Sequence, residues 1–256
     1  MAHISATIYP KSLGFRTRIE VVIPQHPDLG FPADKVLYLL HGLSDDSTAW
    51  TRNTRIEHYA EKRGYIVIMP EVQRSFYCDM KYGSKYFTYV SEELPELCEK
   101  LFNITHIRDK TYIAGLSMGG YGAIKCALTK PQFYSACAGF SGALDIEARL
   151  SGAYKTGYRE VYAIMDKGES LPDHSNLFKL ADKMSELPQN EQTRVLVTCG
   201  EVDFLIDDNR KFDKHMKSLP VDYTYKEWYG DHDWNFWEEC LPLAFDFFEK
   251  AENNDE

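Results

Sequence analysis

Gly115-Leu116-Ser117-Met118-Gly119 decides how the rest of the chain is read. It has the form G-x-S-x-G, which sets a serine on a sharp turn between a strand and a helix. The flanks supply both elements. Thr111-Tyr112-Ile113-Ala114 is a short apolar run with the character of a buried strand, and Tyr121 to Leu128 reads as a helix starting just after the glycines. A backbone that reverses this abruptly leaves little room for side chains two residues either side of the serine, where Gly115 and Gly119 stand. The helix start also aims free N–H groups and the positive end of its dipole at the serine oxygen and at any oxyanion formed there.

The surroundings suit an α/β domain. At 256 residues, with 44% hydrophobic and 14% aromatic content, the chain can build one sizeable core, and residues 1–256 are read as a single domain. A formal net charge of −10 argues against nucleic acid or an anionic membrane as partner. Met1-Ala2-His3-Ile4-Ser5 has neither a basic nor an apolar leader, and no apolar stretch approaches the ~20 residues of a membrane span. The expectation is a cytoplasmic protein. Six cysteines are scattered without a CxxC pair, which predicts buried, reduced thiols.

Taken in order, residues 7–10 and 15–24 look like early strands, and Val36 to Leu40 like a central parallel strand covered on both faces. Thr54 to Arg63 is helical and stops at Gly64; Tyr65 to Pro70 is the next strand. Residues 71–85 read as an irregular aromatic loop. Phe87 to Phe102 is helical, with Pro95 forcing a kink or a fresh start. Ser135 to Phe140 and Arg194 to Cys199 are strands, Asp208 to Leu219 a helix, Tyr223 to Trp228 a strand and Phe236 to Lys250 the last helix. Residues 141–190 are polar and glycine-rich, too long for a plain loop, and read as a lid-like insertion or a surface excursion. Strands alternating with helices imply a mostly parallel sheet with helices on both faces, and place the site at the carboxyl ends of the strands.

At those ends a serine nucleophile needs a base and an orienting group. Ser117 comes first. Gly200-Glu201-Val202-Asp203-Phe204-Leu205 follows the penultimate strand and offers Asp203; Glu201, Asp207 and Asp208 are its rivals, the last two suited to a helix start. Tyr229-Gly230-Asp231-His232-Asp233-Trp234 follows the last strand and offers His232, so the chain order is Ser…Asp…His. His41-Gly42-Leu43-Ser44 ends the third strand. The Leu43 and Met118 N–H groups are read as the oxyanion hole, with His41 bracing the loop or, alternatively, acting as base. Trp50 and Trp234 follow these loops and are candidate substrate contacts; for Phe76, Tyr77 and Trp237 packing is the simpler explanation. There is no HExxH, no Cys/His cluster, no GxGxxG and no Walker sequence, so no metal and no cofactor is expected.

Five stretches together carry a family resemblance: Leu39–Gly42, Ala114–Ala123, Phe140–Leu144, Cys199–Leu205 and His232–Trp234. They resemble the small bacterial carboxylesterases of the tributyrin-esterase type. These belong to the esterase D-like group of α/β-hydrolases, alongside S-formylglutathione hydrolases and cinnamoyl or feruloyl esterases. The resemblance implies the α/β-hydrolase fold, Ser117, Asp203 and His232 as catalytic residues, and Leu43 and Met118 as oxyanion donors. It also implies cofactor-free hydrolysis of short acyl esters such as acetyl or butyryl esters, acetylated sugars included, by a homodimer or tetramer. S-Formylglutathione hydrolases usually carry His where this chain has Leu116, which ranks a glutathione thioester below a simple ester. A feruloyl ester stays open, as does, more remotely, a non-catalytic binding protein on the same fold.

Overall fold

A computed structural model describes residues 1–25, 33–148, 163–164 and 172–250. Among these, eight strands form one sheet: β1 (Ala2–Ile8), β2 (Thr17–Ile23), β3 (Lys35–Leu40), β4 (Tyr65–Pro70), β5 (Thr111–Leu116), β6 (Ala136–Phe140), β7 (Arg194–Gly200) and β8 (Tyr223–Trp228). Their spatial order is β1-β2-β4-β3-β5-β6-β7-β8. β1 with β2 and β2 with β4 run antiparallel; every other pair is parallel. This is the mostly parallel sheet that the alternation of elements predicted, in the α/β-hydrolase architecture that the family resemblance implied.

The helices are α1 (Ala49–Asn53), α2 (Ile56–Arg63), α3 (Leu94–Phe102), α4 (Met118–Thr129), α5 (Leu177–Ser185), α6 (Ile206–Met216) and α7 (Trp234–Glu249). They cover the sheet on both faces. In β3, Val36, Tyr38 and Leu40 pack with α3, α4, α5 and α6, while Leu37 and Leu39 pack with α1, α2 and α7. Both sides of these strands are apolar because both are buried, which is why they read as unbroken hydrophobic runs.

Three local readings change and one gains detail. β1 begins at Ala2 rather than Thr7, and its partner strand holds a buried acid, Glu20. The Glu20 carboxylate is tied to His3, Ser5 and Arg18. At Pro95 the chain takes a new start: a π-helical turn over Tyr89–Glu93 leads into α3, which begins at Leu94 with Pro95 in its first turn. Proline has no N–H to give the preceding turn, and widening that turn accommodates the loss. α6 starts at Ile206, so Asp207 and Asp208 lie inside its first turn. Finally, residues 177–185, assigned from sequence to a lid-like insertion, form the amphipathic scaffold helix α5. It buries Leu177, Leu180, Ala181 and Met184. Most of the remaining insertion lies outside the described residues.

Parallel pairing aligns the carboxyl ends. Leu40 pairs with Gly115, Leu116 with Phe140, Phe140 with Thr198 and Gly200 with Trp228. Residues immediately after β3, β5, β6, β7 and β8 therefore emerge along one edge.

Candidate active site

Ser117 stands between β5 and α4 with φ 54 and ψ −116, a conformation unfavourable for any residue with a Cβ. The surroundings enforce it. Its N–H donates to Phe140 O (2.8 Å), and its own carbonyl accepts from Ala143 N (3.1 Å) and Tyr121 N (3.2 Å). The glycines are required by space. A Cβ on Gly115 would strike the Gly119 carbonyl, and one on Gly119 would strike the Leu40 and His41 carbonyls.

The Ser117 hydroxyl meets His232, whose Nε2 lies 3.0 Å from Oγ. On the other side of the ring, Nδ1 is 2.9 Å from Asp203 Oδ2 and 3.1 Å from Oδ1. Three side chains separated by up to 115 positions thus form one hydrogen-bonded line. With a carboxylate at Nδ1, that nitrogen carries the proton and Nε2 is left to accept from the serine.

Asp203 is 1% exposed. Burial pushes its carboxyl up, but the hydrogen bond and charge of His232, with the Leu205 amide (2.7 Å), outweigh burial and hold it below the usual carboxylate range. Ser141 Oγ adds to the same field without making a well-formed hydrogen bond of its own. Of its rivals, Glu201 is exposed, and Asp207 and Asp208 sit at the start of α6, while the carboxylate paired with His232 Nδ1 is that of Asp203.

His41 braces the loop after β3. Its Nδ1 pairs with Gly42 O (2.7 Å) and its Nε2 accepts from Val72 N (3.1 Å), which commits both ring nitrogens. The Gly42 N–H donates to Asp45 Oδ2 (3.2 Å). Burial pushes the Asp45 carboxyl above its ordinary range, even against the pull of His41 and the Gly42 amide. A Cβ on Gly42 would lie 3.7 Å from Ser117 Cβ, so this loop runs alongside the serine. Leu43 is the next residue on this loop, and Met118 follows Ser117 as the first residue of α4.

The aromatic residues divide differently from the sequence reading. Trp50 is 0% exposed, its Nε1 donates to Leu40 O (3.1 Å), and its ring packs on Phe140 and Trp234. It underpins the loop and offers no surface to a substrate, which corrects the contact expected from its position. Trp234 is half-buried, in edge contact with both Trp50 and Trp237. Trp237 is core, as expected, but also flanks His232 at 5.0 Å and 89°. Tyr77 does more than pack: its hydroxyl donates to His41 O (3.0 Å). Phe204 also lies close to His232, with ring centroids 4.4 Å apart. Nothing in the sequence singled out Phe204, because an aromatic residue in a loop has no pattern to read.

No group of His, Cys, Asp and Glu among the described residues is placed to hold a metal, and no described helix is long and apolar enough to cross a membrane. All six cysteines are buried and free; burial pushes the Cys98 and Cys126 thiols up to about 12.

The Esterase family model matches residues 11–248. An acetyl esterase of Caldicellulosiruptor saccharolyticus is 32% identical over 98% of this chain and 99% of its own. Among solved structures, the Staphylococcus aureus fluorophosphonate-binding serine hydrolase FphF is 31% identical with a TM-score of 0.87. It covers 96% of this chain and 98% of its own. An S-formylglutathione hydrolase (FrmB) of the same organism is 30% identical, with a TM-score of 0.80 over the same shares.

Proposed function

The chain belongs to the Esterase family and is a carboxylic ester hydrolase of the serine esterase kind, and we propose that it removes short acyl groups, acetyl foremost, through Ser117, His232 and Asp203. The observation that carries this reading is the 3.0 Å approach of His232 Nε2 to Ser117 Oγ, with Asp203 2.9 Å behind the ring. His232 takes the Ser117 proton as Oγ attacks the ester carbonyl. The Leu43 and Met118 amides receive the oxyanion; one such donor is worth ~10²–10³ in rate. The carbonyl–alcohol bond breaks and the alcohol leaves with the proton from His232. Water then attacks the acyl-enzyme, giving its proton to His232, which returns it to Oγ as the acid departs. Asp203 holds Nδ1 protonated and stabilises the imidazolium in both steps.

The acyl choice is supported by the full-length similarity to an acetyl esterase. A second reading, hydrolysis of S-formylglutathione, is supported by the FrmB likeness. The buried Leu116 beside the serine weighs against it. Residues 1–256 as one domain, a homodimer or tetramer, and a cytoplasmic location belong to the same reading.

Kinetics test it. Wild-type protein is expected to hydrolyse p-nitrophenyl acetate faster than p-nitrophenyl octanoate or methyl ferulate, and Ser117→Ala is expected to fall to the buffer rate. Normal turnover by Ser117→Ala would remove this serine from the mechanism. Preference for S-formylglutathione over all oxygen esters would move the enzyme to the second reading.

A further inference from the structure

The loop after β4 carries three non-glycine residues at positive φ: Gln73 (53°), Phe76 (48°) and Tyr77 (48°). Such a φ is unfavourable for a residue with a Cβ, so two in succession persist only where the surroundings hold them. The contacts of Tyr77 show how. It is fully buried, and its ring lies against α4, where a Cβ on Gly122 would strike it. Its N–H donates to Ser75 Oγ (3.1 Å), and its carbonyl accepts from Lys125 Nζ (3.1 Å). Lys125 is itself on α4 and fully buried, with its ammonium 4.5 Å from the centre of the Phe87 ring. Taking an ammonium out of water is costly, and here its charge is spent on the strained turn.

What the turn delivers is the Tyr77 hydroxyl, which donates to His41 O (3.0 Å). That carbonyl lies at a crowded junction, since a Cβ on Gly119 would strike it together with the Leu40 carbonyl. The two carbonyls are held from opposite faces of the sheet, Leu40 O by Trp50 Nε1 (3.1 Å) and His41 O by Tyr77. Gly119 follows Met118, and Leu43 lies two residues beyond His41. The loop that bears one assigned oxyanion donor therefore abuts the helix that bears the other at the carbonyl Tyr77 holds.

We propose that Tyr77 is a positioning residue for the oxyanion hole: anchored on α4 through Gly122 and Lys125, it holds the His41 carbonyl and so fixes the Leu43 amide relative to the Met118 amide. This rests on the roles given above to Ser117, Leu43 and Met118. Two donors stabilise an oxyanion only when both point at one spot. The ester carbonyl carries far less charge than the oxyanion, so a loosened loop costs the transition state more than it costs bound substrate.

The test is Tyr77→Phe, which removes the hydroxyl and keeps the ring against Gly122. With p-nitrophenyl acetate, kcat is expected to fall about 10-fold at unchanged KM, the size of one hydrogen bond expressed in the transition state. A trifluoromethyl ketone reports the same geometry at equilibrium. Ser117 Oγ bonds to its carbonyl carbon, the Ser117 proton passes to His232, and the carbonyl electron pair stays on the oxygen as an oxyanion. Its Ki should rise by the factor lost in kcat. Lys125→Met keeps the stem and removes the ammonium; it is expected to lower kcat too, and the double variant to be no slower than Tyr77→Phe alone, since the lysine acts through the tyrosine. Rates are taken per active site titrated with a fluorophosphonate, so a loss of folded protein does not enter, and Tyr77→Phe decides alone if Lys125→Met does not fold. An unchanged kcat in Tyr77→Phe overturns the proposal. So does a raised KM at unchanged trifluoromethyl ketone affinity, and so do losses that multiply in the double variant. Wild-type protein that takes no fluorophosphonate on Ser117 would defeat the reading of the site beneath the proposal, whereas labelled, active Tyr77→Phe at the wild-type rate defeats the Tyr77 assignment alone.

Discussion

The two ends of the Ser117–His232 hydrogen bond are held by different physics. Ser117 is placed by its backbone. Its φ is positive, its amide and carbonyl are bonded into β6 and α4, and neighbouring glycines leave no room for another path. His232 is placed by side chains. Its neighbours Asp231 and Asp233 are exposed, and the ring is located by Asp203, Phe204 and Trp237. Ser117 is thus part of the fold, whereas the His232 side chain is an attachment to it. Damage to the first should cost folding and activity together. Damage to the second should cost activity far more than stability.

The comparison is broken most severely at Gly119. In Gly119→Ala the new methyl group meets two backbone carbonyls, Leu40 and His41, that cannot swing aside. The expected loss exceeds about 4 kcal/mol, in the range reserved for severe core disruption. Urea unfolding should show a collapsed midpoint or no folded baseline. A normal midpoint would mean that the elbow is softer than its geometry implies.

Asp203→Asn sharpens the other half. An amide of the same shape no longer favours the proton on Nδ1, so kcat is expected to drop ~10⁴-fold, as wrong-tautomer variants of such sites do. The unfolding midpoint near neutral pH should move far less than for Gly119→Ala. An equally large loss of stability would erase the distinction between the two regions.

The smallest effect is on pH dependence. The Asp203 carboxyl lies below its ordinary value in the folded protein, so the unfolded chain binds that proton more readily. Its contribution is complete above the ordinary carboxylate pKa of about 3.9 and is lost as pH falls through the lower folded value. Asp203→Asn should therefore flatten the decline of stability on the acid side of pH 4, read from denaturant midpoints across pH 2–5. An unaltered slope would assign the acid sensitivity to other carboxylates.

The backbone-placed half of the site was the more legible in sequence. Gly115 and Gly119 are written there because only glycine fits, and the apolar runs of β3, β4 and β5 because both faces are buried. The order Ser117, Asp203, His232 was legible as well, since each residue follows a readable strand. What lay outside the sequence was side-chain direction. Trp50 follows the His41–Leu43 loop as Trp234 follows His232, yet one indole is spent on the Leu40 carbonyl and the other is half-buried. α5 was hidden between Pro172 and Pro188, although Leu177, Leu180, Ala181 and Met184 repeat with a helical period. Phe204 and Tyr77 sit in loops, where no periodicity reports what a ring touches.

The most direct measurement is a map of the residue modified when the native protein reacts with a fluorophosphonate, by peptide mass spectrometry, in wild-type, Asp203→Asn and urea-unfolded samples. One adduct on Ser117 is expected, formed fast in the wild type, far more slowly in Asp203→Asn and not at all after unfolding. An adduct on another residue, or equal labelling of native and unfolded chains, would contradict the assembly of Ser117, His232 and Asp203 into a working nucleophile.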